Sequence, residues 1–198
     1  MQDLLIENIH NVSAAEYDRE YLRLDDPAKS RIDRMKHTET KHRTLLGRML
    51  ARKAAGQICG VDPDDISIAV DVRGKPYAAG MACCFSISHS GEWVVCGFGT
   101  SEIGVDIERI RPIKTDLLKR VCTDEECEYV LGEHIVECDM ISDADVLTRF
   151  FEIWTLKEAY FKAIGSGITD FKSINVIDDA VKRRTYYMDG YMIGVIYI

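Results

Sequence analysis

"IGVDIERIRP", residues 103–112, places two carboxylates two positions apart in an otherwise apolar run. Because side chains alternate across an extended chain, Asp106 and Glu108 are predicted to share one face of a strand, with Val105 and Ile107 packed behind them. Two like charges on one face repel each other, so the pattern calls for a positive partner. A metal ion is the first candidate for that partner.

The composition is that of a globular chain with an acidic charge balance. Its 198 residues are 46% hydrophobic, enough for a sizeable core, and the formal net charge of -8 argues against general nucleic-acid binding. Residues 1–18 carry acidic side chains where a secretory signal needs a basic start, and no window approaches the ~20 apolar residues of a membrane span. These features predict a soluble, cytoplasmic protein that binds neither nucleic acid nor membrane.

The cysteines are scattered, odd in number and without a CxxC pair. This usage predicts small core residues or unreactive thiols in a reducing compartment, and it argues against a zinc site. The seven are Cys59, Cys83, Cys84, Cys96, Cys122, Cys127 and Cys138.

The first half of the chain has the pattern of a long helix followed by strands. Thr38 is the predicted cap of that helix, and Ser90 and Gly91 are the predicted turn between two strands. The expected order is helix, strand, turn or loop, and paired strands, at residues 38–59, 65–72, 73–77 and 83–99.

The second half repeats this order. Its helix is expected to begin near Thr148 and to end at Gly165, and Asp189 with Gly190 marks a hairpin turn. The expected order is helix fragment plus exposed loop, helix, short strand and hairpin, at residues 125–146, 147–165, 173–179 and 184–198. The sequence therefore predicts an α+β protein of two similar halves, residues 1–101 and 102–198, with a site between them.

The second long helix contains the other candidate site residues. Trp154, Glu158, Phe161 and Lys162 fall along one side of it at helical spacing. Glu158 and Lys162 alone are typical of an exposed ion pair, but beside aromatic residues Glu158 is also a candidate third carboxylate for a divalent cation. Oxygen-only ligands favour magnesium.

Magnesium held by a few carboxylates leaves positions for phosphate oxygens, so the predicted substrate carries a phosphate or pyrophosphate. Basic residues should then converge on it, although each of them also fits an ordinary turn or a solvated helix face. The candidates are Lys162, His89, Lys75, Arg43, Lys29, Arg31 and Arg34. Neither GxxxxGK[ST] nor GxGxxG occurs, so the common nucleotide-binding loops are not available.

Four motifs occur in a fixed order: "GKPY" at 74–77, "FSISHSGEWVV" at 85–95, "IGVDIERIRP" at 103–112 and "WTLKEAYFKAIGSGI" at 154–168. In this order and spacing the chain resembles the 4'-phosphopantetheinyl transferases of the surfactin-synthetase-activating (Sfp-like) type. The resemblance runs from Lys29 to Ile168.

The resemblance implies two pseudo-symmetric halves with an active site at their interface and a monomer as the working unit. Such enzymes move the phosphopantetheine arm of coenzyme A to a serine of an acyl or peptidyl carrier protein and release adenosine 3',5'-bisphosphate. The carriers serve fatty-acid, polyketide or nonribosomal peptide synthesis.

The resemblance also implies roles for individual residues. Asp106, Glu108 and Glu158 resemble the magnesium ligands. Lys162 resembles the residue that neutralises the pyrophosphate, and Glu158 is also a candidate base for the serine.

The remaining family roles concern the grip on coenzyme A. Ser88 and His89 resemble phosphate contacts, and Arg43 with His89 resembles the grip on the 3'-phosphate. Lys75 and Pro76 match the loop that borders the adenine. The segment 28–43 does not align one-to-one with the family's basic segment, so it assigns no role to Lys29, Arg31 or Arg34.

A basic segment, "RPIKTDLLKRV" at 111–121, follows the carboxylate strand. Carrier proteins of this kind are acidic, so this helix is a candidate docking surface, and an ordinary basic outer face fits it equally well. Two other functional classes stay open: a non-catalytic module that binds coenzyme A or carrier, and a structural partner in a synthase assembly. Metal-dependent turnover separates all three.

Overall fold

The computed structural model describes residues 3–132, 139–167 and 170–198. The chain divides into two compact units, Met1–Glu102 and Ile103–Ile198. Each unit combines one long helix with a three-stranded antiparallel sheet. The α+β prediction is confirmed.

The first unit is built around its long third helix and a sheet of strand order β1-β5-β4. A second, smaller sheet pairs β2 with β3. The elements of this unit are β1 (Leu4–Asn8), α1 (Ala14–Leu22), α2 (Asp26–Asp33), α3 (Thr38–Cys59), β2 (Ile68–Val70), β3 (Pro76–Ala78), β4 (Cys84–Ser90) and β5 (Trp93–Gly99).

Helix α3 has the predicted span, but its cap differs from the prediction. His37 occupies the capping position without a side-chain hydrogen bond, and Thr38 is the first helical residue. Leu46 and Ala51 are buried on the core side of this helix. The helix ends at Gly60, whose φ of 67° is the left-handed conformation that glycine adopts without strain.

The strands after α3 follow the prediction in order but not in every boundary. The predicted strand at 65–72 is shortened to β2, and the predicted loop at 73–77 turns at Gly74 (φ 87°) and then enters β3 at Pro76. Proline is tolerated there because it stands at the first position of a short strand. The hairpin β4–β5 turns at Gly91, as predicted.

The second unit repeats the scheme of strand, long helix and hairpin, with sheet order β6-β10-β9. In both units the first strand pairs with the second strand of the hairpin that follows the long helix. The elements are β6 (Ile103–Arg109), β7 (Ile113–Lys114), α4 (Thr115–Val121), α5 (Asp124–Leu131), β8 (Met140–Ile141), α6 (Ala144–Ile164), β9 (Arg183–Met188) and β10 (Tyr191–Tyr197).

Helix α6 begins one turn earlier than predicted. The side chain of Asp143 accepts hydrogen bonds from the backbone N–H groups of Asp145 and Val146, so it caps the helix ahead of Thr148. The helix ends at Gly165, as predicted. The predicted hairpin is also present, with Asp189 and Gly190 both at positive φ, as a tight hairpin turn requires.

The predicted strand at 173–179 is wrong. A 3₁₀ turn at Phe171–Ser173 is followed by turns. The backbone N–H of Val176 donates to Oε1 of Glu126 at 2.8 Å, so a side chain on α5 takes the hydrogen bond that a neighbouring strand would have taken.

The predicted helix fragment and loop at 125–146 lie only in part within the described residues. The fragment is α5, and the short strand β8, which pairs with β7, precedes the cap of α6. Residues 133–138, with Cys138, lie outside the described residues. The six described cysteines are thiols, and burial raises the pKa of Cys96 and of Cys122. No helix in the described ranges is long and apolar enough to cross a membrane.

Candidate active site

The carboxylate strand meets a lysine of α6 within the second unit. Asp106 is 4% exposed and lies on β6 between Val105 and Ile107, which are fully buried. Lys162 Nζ donates to Asp106 Oδ1 at 2.7 Å. The positive partner that the sequence pattern called for is therefore, in this structure, a lysine side chain.

Two glycines let α6 lie directly on the sheet. A Cβ atom at Gly104 of β6 would overlap the backbone carbonyl of Ala159, and one at Gly194 of β10 would lie 2.6 Å from the carbonyl carbon of Thr155. Gly194 is the register partner of Asp106. The absence of side chains at these two positions brings the lysine of α6 within reach of the strand.

Glu158 lies one helical turn before Lys162 on α6 and is electrostatically linked to both strand carboxylates. Burial, together with the charges of Asp106 and Glu108, raises the pKa of Glu158 to about 7, while the charge of Lys162 acts in the opposite direction. The electrostatic contributions of Asp106 and Glu108 indicate that both strand carboxylates lie near Glu158.

Glu108 is held by an arginine that the sequence analysis placed in the docking helix. Nη1 of Arg111 lies 3.3 Å from Glu108 Oε2. In the described part of the chain, no group of three or more His, Cys, Asp or Glu side chains is arranged to hold a metal ion. The candidate ligands are thus neighbours, but cationic side chains of the chain itself contact two of them.

A buried ion pair in the second unit was not predicted. Lys157 and Glu126 are both fully buried, and Lys157 Nζ lies 2.7 Å from Glu126 Oε2. The same ammonium donates to the carbonyl oxygens of Phe171 and Ile174 at 2.6 and 2.7 Å. Through these hydrogen bonds, Lys157 connects residues 171–174, which follow α6, to the helix.

One signal in the sequence could have revealed Lys157. It lies three residues after Trp154 and four before Phe161, so it falls on the aromatic side of the helix. A charged residue at such a position needs a buried partner. Both aromatic rings in turn pack on Phe171, with centroid distances of 5.2 and 5.9 Å.

The candidate residues of the first unit include the pair Lys75 and Pro76. Both line a cavity of about 540 Å³ together with Phe85 and Glu102. Lys75 Nζ lies 2.9 Å from Glu102 Oε2, so a carboxylate already contacts this ammonium at the cavity.

Arg43, Ser88 and His89 lie on α3 and β4. Arg43 Nη1 donates to the carbonyl oxygen of Gly91 at 2.7 Å, which ties the helix to the turn that follows β4. Ser88 is buried and His89 is exposed, as expected for adjacent residues on a strand. The structure places Arg43 at this hairpin and Lys75 with Pro76 at the cavity.

The basic residues without a family role belong to α2 and its end. Lys29 is half-buried, while Arg31 and Arg34 are exposed. The Nε of Arg34 donates to the backbone carbonyl of Ser30 one turn earlier at 3.0 Å. This arrangement matches the solvated helix face that the sequence also allowed.

The segment of the candidate docking surface folds as β7 and α4, so a helix is present there as expected. Leu118 and Val121 are buried in the unit, and Lys114, Lys119 and Arg120 are exposed. The helix therefore presents positive charge outward over an apolar inner face.

The chain matches two sequence profiles in consecutive segments. Residues 102–193 match the profile described as "4'-phosphopantetheinyl transferase superfamily". Residues 11–99 match the profile described as "4'-phosphopantetheinyl transferase, N-terminal". Apart from Glu102, the two segments fall in different compact units.

Several curated proteins are similar to this chain. A 4'-phosphopantetheinyl transferase of Bacillus subtilis is 36% identical over 172 residues, covering 85% of this chain and 73% of the relative. The 4'-phosphopantetheinyl transferase Sfp of Bacillus subtilis (strain 168) is 34% identical over 143 residues, covering 71% and 60%. The 4'-phosphopantetheinyl transferase gsp of Aneurinibacillus migulanus is 36% identical over 127 residues, covering 64% and 50%.

The chain thus spans between half and about three quarters of the length of these relatives. The first relative exceeds 30% identity across most of both chains, and both profiles name the same activity. The chain therefore belongs to the 4'-phosphopantetheinyl transferase superfamily, a family of enzymes.

Proposed function

We propose that this protein transfers the 4'-phosphopantetheine arm of coenzyme A to a serine hydroxyl of an acyl or peptidyl carrier protein and releases adenosine 3',5'-bisphosphate. The observation that carries the proposal is the contact of buried Asp106 with Lys162 at 2.7 Å. Glu158, whose pKa is raised, lies one helical turn before Lys162. Carboxylates that could hold a divalent cation, a lysine and a candidate base are side chains that can neutralise phosphate charge and activate a hydroxyl group in the transfer of a phosphate-linked group.

The proposal includes magnesium, held by Asp106, Glu108 and Glu158. The fit rests on two features of the site: all donors are carboxylate oxygens, which magnesium prefers, and the charges of Asp106 and Glu108 add to burial in raising the pKa of Glu158. When bound, the ion would neutralise pyrophosphate charge and orient the phosphates. The same argument makes these residues, with Lys162, the catalytic centre of the proposed enzyme.

The side chains of the second unit have distinct proposed tasks. Lys162 would shift its positive charge from Asp106 to the pyrophosphate as the bond to the leaving group breaks. Glu158 would accept the proton of the serine hydroxyl, directly or through water, because it is a carboxylate one helical turn from Lys162.

The first unit would hold coenzyme A. Arg43 and His89 are proposed to bind the 3'-phosphate of coenzyme A, and Ser88 is proposed to contact a phosphate. Lys75 and Pro76 are proposed to border the adenine. The cavity that Lys75 and Pro76 line is consistent with the last of these roles, since its volume of about 540 Å³ can accept a base. We further propose that the protein acts as a monomer in the cytoplasm, where its cysteines stay reduced.

The reaction can be tested by intact-mass spectrometry of an apo carrier protein incubated with this protein and coenzyme A, with magnesium or with a chelator. The carrier is expected to gain about 340 Da, one phosphopantetheine, only when metal is present. Binding of coenzyme A without any gain would support the non-catalytic module instead. Binding of carrier that needs neither metal nor coenzyme A would support a structural role.

The Lys162→Ala variant is expected to lower kcat by about 100-fold while changing the Kd for coenzyme A by only about threefold, because the lysine acts mostly on charge that develops in the transition state. Single-turnover kinetics and calorimetric binding measure the two effects. Lys53→Ala, which removes an exposed lysine from α3, should change neither. Weaker binding with unchanged kcat would make Lys162 an anchor rather than a catalytic residue.

We also propose that α4 docks the acidic carrier. Reversing charge at its outer face with Lys119→Glu and Arg120→Glu is expected to raise KM for the carrier about tenfold and to leave KM for coenzyme A unchanged, because the change affects one partner only. A control with the same change in net charge is Lys53→Glu with Lys182→Glu, both exposed. Equal effects of the two double variants would discard this docking surface.

A further inference from the structure

Arg111 is held beside Glu108 by more than one contact. Its Nη1 lies 3.3 Å from Glu108 Oε2 and donates to the backbone carbonyl of Arg109 at 3.1 Å. Its guanidinium carbon lies 5.5 Å from the ring centroid of Phe151, a buried residue of α6. The carbonyl and the ring fix the guanidinium in a position where one of its N–H groups faces the carboxylate.

This placement puts a positive charge of the chain itself on one of the candidate metal ligands. An arginine is always charged, so its attraction for Glu108 is present at every working pH. A divalent cation and the guanidinium would both bind the oxygen atoms of one carboxylate. Any metal that takes Glu108 as a ligand must therefore displace Arg111 from it or share the carboxylate with it.

We propose that Arg111 is a built-in competitor for the divalent cation and sets the affinity of the site by holding Glu108. The inference rests on the proposed function, because it takes Glu108 as a metal ligand. It separates Arg111 from Lys119 and Arg120: the arginine after β6 acts on the metal site, whereas the residues of α4 act on the carrier.

The expected effect is modest because the pair is open to water. The side chains of Arg111 and Glu108 are 58% and 28% exposed. Exposed ion pairs contribute little and are screened by salt, so releasing Glu108 should tighten metal binding by about two- to fivefold. The effect should shrink as ionic strength rises.

The probe is Mn²⁺ alone, which takes the same oxygen ligands, with the free ion measured by electron paramagnetic resonance during titration of the full chain. Arg111→Gln is expected to lower the Kd for Mn²⁺ by about two- to fivefold at low salt and by less at high salt. Arg120→Gln removes the same charge from an exposed position on α4 and should leave the Kd nearly unchanged. Comparison with Asp106→Ala shows how much of the measured Mn²⁺ binding occurs at this site.

The outcomes separate the two proposals. If Asp106→Ala abolishes the Mn²⁺ binding seen in the parent, the metal site stands. If Arg111→Gln and Arg120→Gln then have equal Kd values for Mn²⁺, the role of Arg111 is overturned. Weaker binding in Arg111→Gln would overturn it as well. If the parent and Asp106→Ala bind Mn²⁺ with the same Kd, the proposed metal site is wrong. The proposed competition by Arg111 is then wrong as well.

Discussion

Replacing Asp106 by alanine is expected to lower kcat for phosphopantetheine transfer by about a thousandfold, with the second unit still folded. The change removes a proposed magnesium ligand and the partner of Lys162, so charge on the pyrophosphate loses two means of neutralisation. Steady-state kinetics with a carrier protein measures the loss. Circular dichroism checks the fold, which is expected to survive because Val105 and Ile107 keep their packing.

The fold should also tolerate this variant for an electrostatic reason. Asp106 is nearly buried, but Lys162, its partner, is 32% exposed, so water can solvate the ammonium once the carboxylate is gone. Glu158 loses one of the charges that raise its pKa, which offsets part of the lost attraction.

Two further variants test whether the charge of Asp106 is what activity requires. Asp106→Asn keeps the shape and a hydrogen-bond acceptor but not the charge, and it should lose nearly as much activity as the alanine variant. Asp18→Ala, at an exposed position of α1, is the matched control and should stay fully active. Full activity of Asp106→Asn would show that the charge is not needed and would refute the metal assignment.

The second large effect concerns stability. Gly104→Ala is expected to destabilise the second unit by about 3 kcal/mol, because the added methyl group overlaps the backbone carbonyl of Ala159 and a backbone cannot move aside as a flexible side chain can. For a chain of this size that corresponds to a fall in Tm of about 6–12 °C. Differential scanning calorimetry measures it directly.

A matched glycine is available as a control for this effect. Gly99, at the end of β5, has only ordinary contacts at 3.8 and 3.9 Å around an added Cβ, so Gly99→Ala should change Tm by no more than about 2 °C. If Gly104→Ala and Gly99→Ala lower Tm equally, the close approach of α6 to β6 is not the reason that position 104 requires glycine. Residual transferase activity of Gly104→Ala should fall with the folded fraction.

Much of the candidate site could be predicted from the sequence because its signals are local. Alternation placed Asp106 and Glu108 on one face of β6, and helical spacing placed Glu158 and Lys162 one turn apart on α6. Gly165 stopped the helix and Asp189 with Gly190 turned the hairpin. Each of these features depends on a few neighbouring residues.

Other features could not be predicted because their partners are distant in the chain. The segment at 173–179 has the composition of a strand, yet Val176 donates its N–H to Glu126, fifty positions away. Lys157 needs the same carboxylate. A pattern of residue types states that a polar group must be satisfied but does not identify the group that satisfies it.

By itself, the sequence determined the two long helices, the two hairpins, the α+β class and the set of chemically capable side chains, since backbone preference and periodicity are local properties. Only the tertiary structure decided which charges meet. Lys162 contacts Asp106 because Gly104 admits the helix, and Arg111 contacts Glu108 because Phe151 and a carbonyl group hold its guanidinium. Such contacts depend on distances of a few ångströms between segments that packing alone brings together.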